Sequence, residues 1–228
     1  MQKEKRKIVI PSQLLGDVKS NKAGRGTYIA DGKIYSELLG FLKENNQYID
    51  VIPLKGRYDP TVGDTVIGFV EEALTSGWLV DINASSPALL HQNEVPWRVD
   101  FGDTEKYLNH GDCIKAKILS VDESKKLQVT LNDNDRNLYK INGGHVIEVE
   151  PTRVPRIIGK KESMLNLIKK YIRCRIFVGK NGRIWIDGDP ENIDKVINTI
   201  SKIEDESITF GLTVRIEEML KKDAKDVR

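Results

Sequence analysis

The sequence predicts a multidomain chain, all-β through its first two parts and α+β in its third. Three observations carry this. Short apolar runs alternate with Gly, Pro, Asn and Asp turns up to about residue 131, at the length of strands rather than helices. Beyond about residue 140 the apolar spacing shifts from two to the three-and-four of an amphipathic helix. The 228 residues are 39% hydrophobic, which can fill several small cores and excludes a wholly disordered chain.

Residues 1–57 form the first part. Its apolar-rich pieces are Ile8–Pro11, Gly26–Ala30, Lys33–Tyr35 and Tyr48–Pro53, and Ala30-Asp31-Gly32-Lys33 carries an Asp-Gly hairpin signal. So few short strands make a small β domain with little core of its own. Tyr58-Asp59-Pro60 breaks the pattern and opens the second part, residues 58–136. Val66–Val70, Gly77–Ile82, Ile114–Val121 and Leu127–Leu131 read as strands, the last pair joined by the turn Asp122–Lys126. Several short strands within about seventy residues suggest a small barrel rather than a parallel sheet.

The third part, residues 137–228, opens with a strand at Val146–Val149. Met164, Leu165, Ile168 and Ile172 stand at helical spacing over Ser163–Ile172, with Ser163 as the expected cap. Arg175–Val178 and Arg183–Ile186 flank the turn Gly179-Lys180-Asn181-Gly182 and predict a hairpin. A helix over Pro190–Ile203 follows, with Asp189 as its N-cap and Pro190 at its first position. Phe210–Lys222 predicts a last helix.

The net charge is +2, from 36 Lys+Arg against 34 Asp+Glu. Taken alone, that number argues against a strongly basic nucleic-acid binder. It is not evenly spread. Residues 153–185 carry ten basic side chains against the single acid Glu162, a net of +9. Residues 186–206 carry seven acids against Lys195 and Lys202, a net of −5. A local field of +9 attracts phosphates, although a run of lysines can also be a solvated helix face.

Several classes are excluded. No stretch approaches ~18 consecutive apolar residues, so no membrane span is expected. Ile8-Val9-Ile10 is stopped by Pro11, so no secretory signal is expected. Cys113 and Cys174 stand apart and form no CxxC, which supports neither a disulfide framework nor a zinc site. They suit small buried side chains in a reducing cytoplasm. His91, His110 and His145 are scattered, and no HExxH, Walker loop or GxSxG occurs. Asp81 with Asp100, Asp103 or Asp112 is the one candidate carboxylate cluster, and such acids usually lie in turns. No enzyme activity, metal or cofactor is expected.

Val154-Pro155-Arg156-Ile157-Ile158-Gly159-Lys160-Lys161-Glu162 precedes the first apolar-periodic helix. It resembles the glycine signature of the KH domain, whose loop and flanking helices clamp about four nucleotides of single-stranded backbone. Glycine lets backbone amides approach phosphate, and the next helix N-terminus favours an anion. Glu162 stands where the second glycine belongs, so Arg156, Lys160 and Lys161 are left to act as point charges. Whether this loop contacts RNA or serves a purely structural KH unit stays open. Gly159, Gly179, Asn181 and Gly182 are expected as structural turn positions.

Val62–Val70, Gly77–Ile82, Ala88–Glu94, Gly111–Ile118 and Leu127–Leu131 resemble, in order, the strands of the S1 domain, an RNA-binding OB barrel. Members of that family stack bases on two aromatic residues of the second strand. Ser76 and Leu79 hold those places here, and alternation turns Trp78 to the other face. His91 matches an RNA-facing position of the family. Lys115 and Lys117 share one strand face, with Lys125 and Lys126 in the following turn and Arg98 nearby. Binding through these groups would be electrostatic and weakly sequence-selective.

An N-terminal β domain, an S1 domain and a KH domain, in that order, resemble the RNA-binding cap subunits of the archaeal exosome, the ribosomal RNA-processing protein 4 family. The resemblance spans nearly the whole chain. Val154–Gly159, and Gly179–Gly182 with Ile184-Trp185-Ile186, are its most particular stretches, the latter a hallmark thought to be structural. It implies a non-catalytic cap that captures single-stranded RNA and guides the 3′ end into a hexameric ring of RNase PH-like subunits. It also implies a trimeric cap, ring docking through residues 1–57, and a cytoplasmic protein without a membrane partner. Two isolated cysteines cannot build the zinc ribbon of the other archaeal cap protein, which favours this family. An architectural subunit nearly indifferent to RNA, and a free-standing S1/KH factor, remain alternatives.

Overall fold

Short β-branched runs broken by turns do form strands over much of the first 150 residues, with 3-10 turns and loop between His91 and Cys113. A computed structural model describes residues 7–45, 47–122, 124, 126–132, 138–207, 209 and 211–223. The chain divides into two compact units, Met1–Gly56 and Arg57–Arg228.

The first unit contains β1 (Ile8–Val9), β2 (Leu14–Asp17), β3 (Lys22–Ala23), β4 (Thr27–Ala30), β5 (Lys33–Ser36), β6 (Gly40–Asn45) and β7 (Tyr48–Pro53). They make one sheet in the order β1-β6-β7-β3 and another in the order β2-β5-β4. The predicted hairpin joins β4 to β5. Ala30 pairs with Lys33, and Asp31 and Gly32 take φ of 49° and 73°, the two left-handed residues of a type I′ turn. Val9, Ile34, Ile49 and Val51 are buried, with Ser36 among them. The Ser36 hydroxyl donates to the Leu38 carbonyl at 2.7 Å, which satisfies it away from water. Alternation does not announce β2, which carries a bulge between Leu14 and Gly16, nor β6, which ends in Lys43-Glu44-Asn45.

The second unit begins with β8 (Thr65–Leu74), β9 (Gly77–Asp81), β10 (Ala88–His91), β11 (Cys113–Val121), β12 (Leu127–Thr130) and β13 (Tyr139–Ile141). The order β12-β10-β9-β8-β11 closes on itself through β11–β12, giving a five-stranded OB-type barrel. β10 and β12 run parallel, with Ala88 opposite Leu127. Register shifts between Val70 and Glu72 and between Ile118 and Ser120 supply the local coiling that closure needs. Val66, Val80, Ile82, Leu90, Ile114, Ile118 and Val129 point inward. Trp78 is buried with them, and its indole N–H donates to the Leu108 carbonyl at 3.0 Å. β13 pairs with the start of β11, Cys113 opposite Ile141, so part of the stretch read as α+β belongs to the barrel sheet.

The remaining elements are β14 (His145–Glu148), α1 (Val154–Ile158), α2 (Ser163–Tyr171), β15 (Cys174–Val178), β16 (Arg183–Gly188), α3 (Pro190–Asp205) and α4 (Leu212–Asp223). The antiparallel sheet has the order β14-β16-β15. The β-α-α-β-β-α succession is that of a KH domain. Met164, Leu165 and Ile168 of α2, Val196 and Ile200 of α3, and Ile216 and Leu220 of α4 share a core with Ile176, Ile184 and Ile186.

Ser163 is the first residue of α2 rather than its cap. Glu162 takes the cap position in a left-handed conformation that makes no side-chain cap bond. At α3, Pro190 is in the first turn as predicted. Asp189 caps with its backbone carbonyl, which accepts from Asn192 and Ile193 at 2.9 Å each, and its carboxylate makes no cap bond. Phe210, the expected start of α4, lies outside the described residues. No described helix is long and apolar enough to cross a membrane.

Candidate nucleic-acid interface

The turn between β15 and β16 reaches out of its own domain and into the barrel. Asn181 is fully buried, and both polar atoms of its side chain are used. Its amide donates to the carbonyls of Ile67 at 2.7 Å and Ile82 at 2.9 Å, and its Oδ1 accepts from the Ile67 N–H at 3.3 Å. Its backbone carbonyl accepts from the Asn83 side chain at 2.9 Å. The N–H of Lys180 donates to the Thr65 carbonyl at 3.0 Å. Gly182 sits at φ +83° against Val149 and Pro151, where a Cβ would meet the Val149 carbonyl. Only glycine holds that conformation at that distance without strain.

Arg183 completes the join. Its side chain is 5% exposed, with Nε donating to Glu148 at 2.9 Å and Nη1 to the Asp81 carbonyl at 2.7 Å. Nη2 pairs with the Asp81 carboxylate, and the guanidinium lies 4.8 Å from the Phe69 ring centroid. A buried guanidinium is tolerated because its fork is filled by two carboxylates and a carbonyl. Ile67, Ile141 and Trp185, with Cys113, Val146 and Phe177, form a separate apolar cluster across the seam. The Trp185 indole donates to the Gly143 carbonyl at 2.9 Å. Burial pushes the Cys113 thiol up to about 11.

The sequence-predicted residues fall in three places. Lys115 lies in the seam: its Nζ is 4.2 Å from the Phe177 ring centroid and 5.6 Å from that of Tyr139. Burial there holds its pKa below the ordinary lysine value. Lys117 shares the outer face of β11 and stands opposite Thr65 on β8 and Thr130 on β12. Lys126 is exposed beyond β11, its N–H donating to Asp122 at 2.7 Å, and Lys125 lies outside the described residues.

The second place is the end of β10. His91 pairs with Gly77. Its Nδ1 accepts from the Asn93 N–H at 3.2 Å, so Nε2 carries the ring proton of the neutral form. Arg98 follows on the next loop, 92% exposed and 3.5 Å from Asp100. Phe101 beside it is the most exposed large apolar residue described, at 76%, and no periodic pattern had pointed to it.

The third place is the loop between α1 and α2. Gly159 takes φ +76° there, and Lys160 and Lys161 are exposed. Arg156 lies on α1 and donates to the Thr209 carbonyl at 3.1 Å, which ties it toward the start of α4. Lys161 and Glu162 both take left-handed φ, of 53° and 61°. The four acids singled out by sequence do not converge. Asp81 meets Arg183, Asp100 meets Arg98, Asp103 meets Lys106, and Asp112 meets Lys140.

A closed OB-type barrel fused through a buried seam to a KH domain with an exposed basic loop defines a class: proteins that carry two single-strand-binding modules in one chain. Family models agree part by part. The exosome RNA-binding protein RRP4 N-terminal domain matches residues 6–55, the RRP4 S1 domain residues 57–120, and a KH domain residues 144–192. The chain is 45% identical over 219 residues to an exosome complex component Rrp4 of Thermoplasma volcanium, covering 95% of this chain and 90% of that one. It is 42% identical to that of Picrophilus torridus, covering 96% and 94%, and 44% identical to that of Methanosarcina mazei, covering 96% and 83%. A crystal structure assigned as an exosome complex RNA-binding protein superposes with a TM-score of 0.67 at 32% identity, over 76% of this chain and all of that one. The chain belongs to the Rrp4 family of exosome components.

Proposed function

We propose that this chain is the RNA-binding cap subunit of an archaeal exosome, acting without chemistry of its own. It captures single-stranded RNA and guides the 3′ end into a hexameric ring of RNase PH-like subunits for 3′-to-5′ degradation or processing. The observation that carries this reading is the 42–45% identity to exosome components, which runs through all three parts of the chain. The exposed Ile8, Ile10, Leu14, Ile29 and Ile52 of the first unit support docking of that unit on protein. Three copies would crown one ring in the cytoplasm. With no aromatic side chain on the outer face of β9, capture relies on lysines and arginines reading phosphate. Tethering RNA at the entrance raises its effective concentration there.

Titration of labelled single-stranded RNA at several salt concentrations, with the free chain and with the chain on its ring, tests the reading. Micromolar affinity with a steep salt slope is the expected result. No binding in either state would remove RNA capture and leave the architectural role. That second reading has its own support, because Lys115 and Arg156 are engaged within the protein.

A further inference from the structure

The turn Gly179–Gly182 has one side chain that the seam does not use. Asn181 and Arg183 are buried in hydrogen bonds to the barrel. The glycines have none to offer. Lys180 is exposed, yet its backbone is fixed, because its N–H donates to the Thr65 carbonyl at 3.0 Å. Thr65 is the cross-strand partner of Lys117 on β11. Directly paired residues lie about 5 Å apart, so a cation of the KH domain and a cation of the barrel meet at Thr65. On the other side the turn abuts Val149 and Pro151, and the chain runs on from there through Arg153 into α1 and the Lys160–Lys161 loop.

Three acids around the turn are committed to other partners. Asp81 and Glu148 both bind Arg183, and Asp64 accepts from the Tyr58 hydroxyl at 2.9 Å. A lysine held on a rigid pivot costs less ordering on binding than one on a mobile loop. We infer that Lys180 is a phosphate contact for single-stranded RNA, through which the backbone of one strand crosses from Lys117 on the barrel to Arg153 and the Lys160–Lys161 loop of the KH domain. The turn is thus both the joint between the two modules and a step on the RNA path. This rests on the RNA-binding function proposed above.

The test is a salt-dependent titration of full-length protein with labelled single-stranded RNA long enough to span both modules. The variants are Lys180→Gln, Lys180→Arg and, as a charge control on the first unit, Lys19→Gln. Lys180→Gln should bind about three- to tenfold more weakly, with the salt slope reduced by about 0.7, one single-strand phosphate contact. Lys180→Arg should restore both, Lys19→Gln should leave both unchanged, and all three should melt with the wild type. Wild-type affinity and slope for Lys180→Gln would overturn the inference while leaving RNA binding intact. Equal losses for Lys19→Gln would overturn it in favour of a net-charge effect. Weakened ring assembly at unchanged RNA affinity would overturn it in favour of a protein contact. A wild type that binds no RNA, free or on the ring, would overturn the functional reading and this inference with it.

Discussion

Single residues decide how the loops of this protein behave. Glu162 is a non-glycine residue at φ +61°, where a Cβ crowds the following backbone. Glu162→Gly should relieve that strain, offset in part by the greater freedom of glycine in the unfolded chain. A net gain of about 0.5–1 kcal/mol is expected, read as a melting point raised by about 2 °C. The same change removes a carboxylate from beside Lys160 and Lys161, so on the proposed RNA path affinity should rise. Unchanged affinity would mean that the loop does not face RNA. Arg183 is the opposite case, a buried charge with three protein acceptors. Arg183→Met should destabilise by about 2 kcal/mol in chemical denaturation. That is below the loss expected for a fully buried pair, because Glu148 and Asp81 stay partly in contact with water. The departure of Glu162 from the glycine pattern was legible in sequence. The burial of Arg183 was not, because its partner Asp81 lies 102 residues away.

At the level of elements, alternation gave the faces correctly and left open what covers them. Lys115 and Lys117 share the outer face of β11, as period two requires. Phe177 and Tyr139 cover the first, and both belong to strands outside the five that close the barrel. The turn Gly179–Gly182 reads locally as Asn and Gly tolerating positive φ. Its larger role comes from Ile67 and Ile82, 114 and 99 residues away, whose carbonyls take the Asn181 amide. Asn181→Ala leaves those buried groups unpaired and should cost about 1–3 kcal/mol. Cys113 reports the same event. Its thiol is held at about 11 by burial in the seam, so only a small thiolate fraction exists at pH 8. Labelling with a thiol reagent should be slow in the wild type and accelerate as pH rises toward that value. It should also be faster in Asn181→Ala, where the seam loosens. Equal labelling rates in the two proteins would show that Asn181 does not hold the seam.

For the whole molecule, the near-neutral total of +2 conceals a +9 stretch followed by one of −5. The basic stretch divides once folded: Arg183 goes to the seam, Arg175 pairs with Asp187, and Arg156 bonds Thr209, while Lys160, Lys161 and Lys180 remain at the surface. The charge left for an RNA partner would therefore be smaller than the count suggests. The unit Arg57–Arg228 has its own large cores, one within the barrel and one beneath the KH helices. A fragment of residues 57–228 should melt cooperatively and keep the RNA affinity of the full chain while losing capture by RNase PH-like ring subunits in a pull-down. Retained capture would move the docking surface out of the first unit.

The sequence by itself determined the three-part order, the strand alternation that buries Trp78, the hairpin at Asp31-Gly32 and the helices behind the glycine loop. These follow from local propensity and from periodicity, which act between near neighbours. Tertiary structure alone decided that the barrel and the KH domain share a buried seam, that β13 joins the barrel, and that Lys115 is covered while Lys180 is presented. Each of those depends on pairing between residues far apart in the chain. A buried amide or guanidinium takes its meaning from which distant carbonyl or carboxylate the fold brings to it.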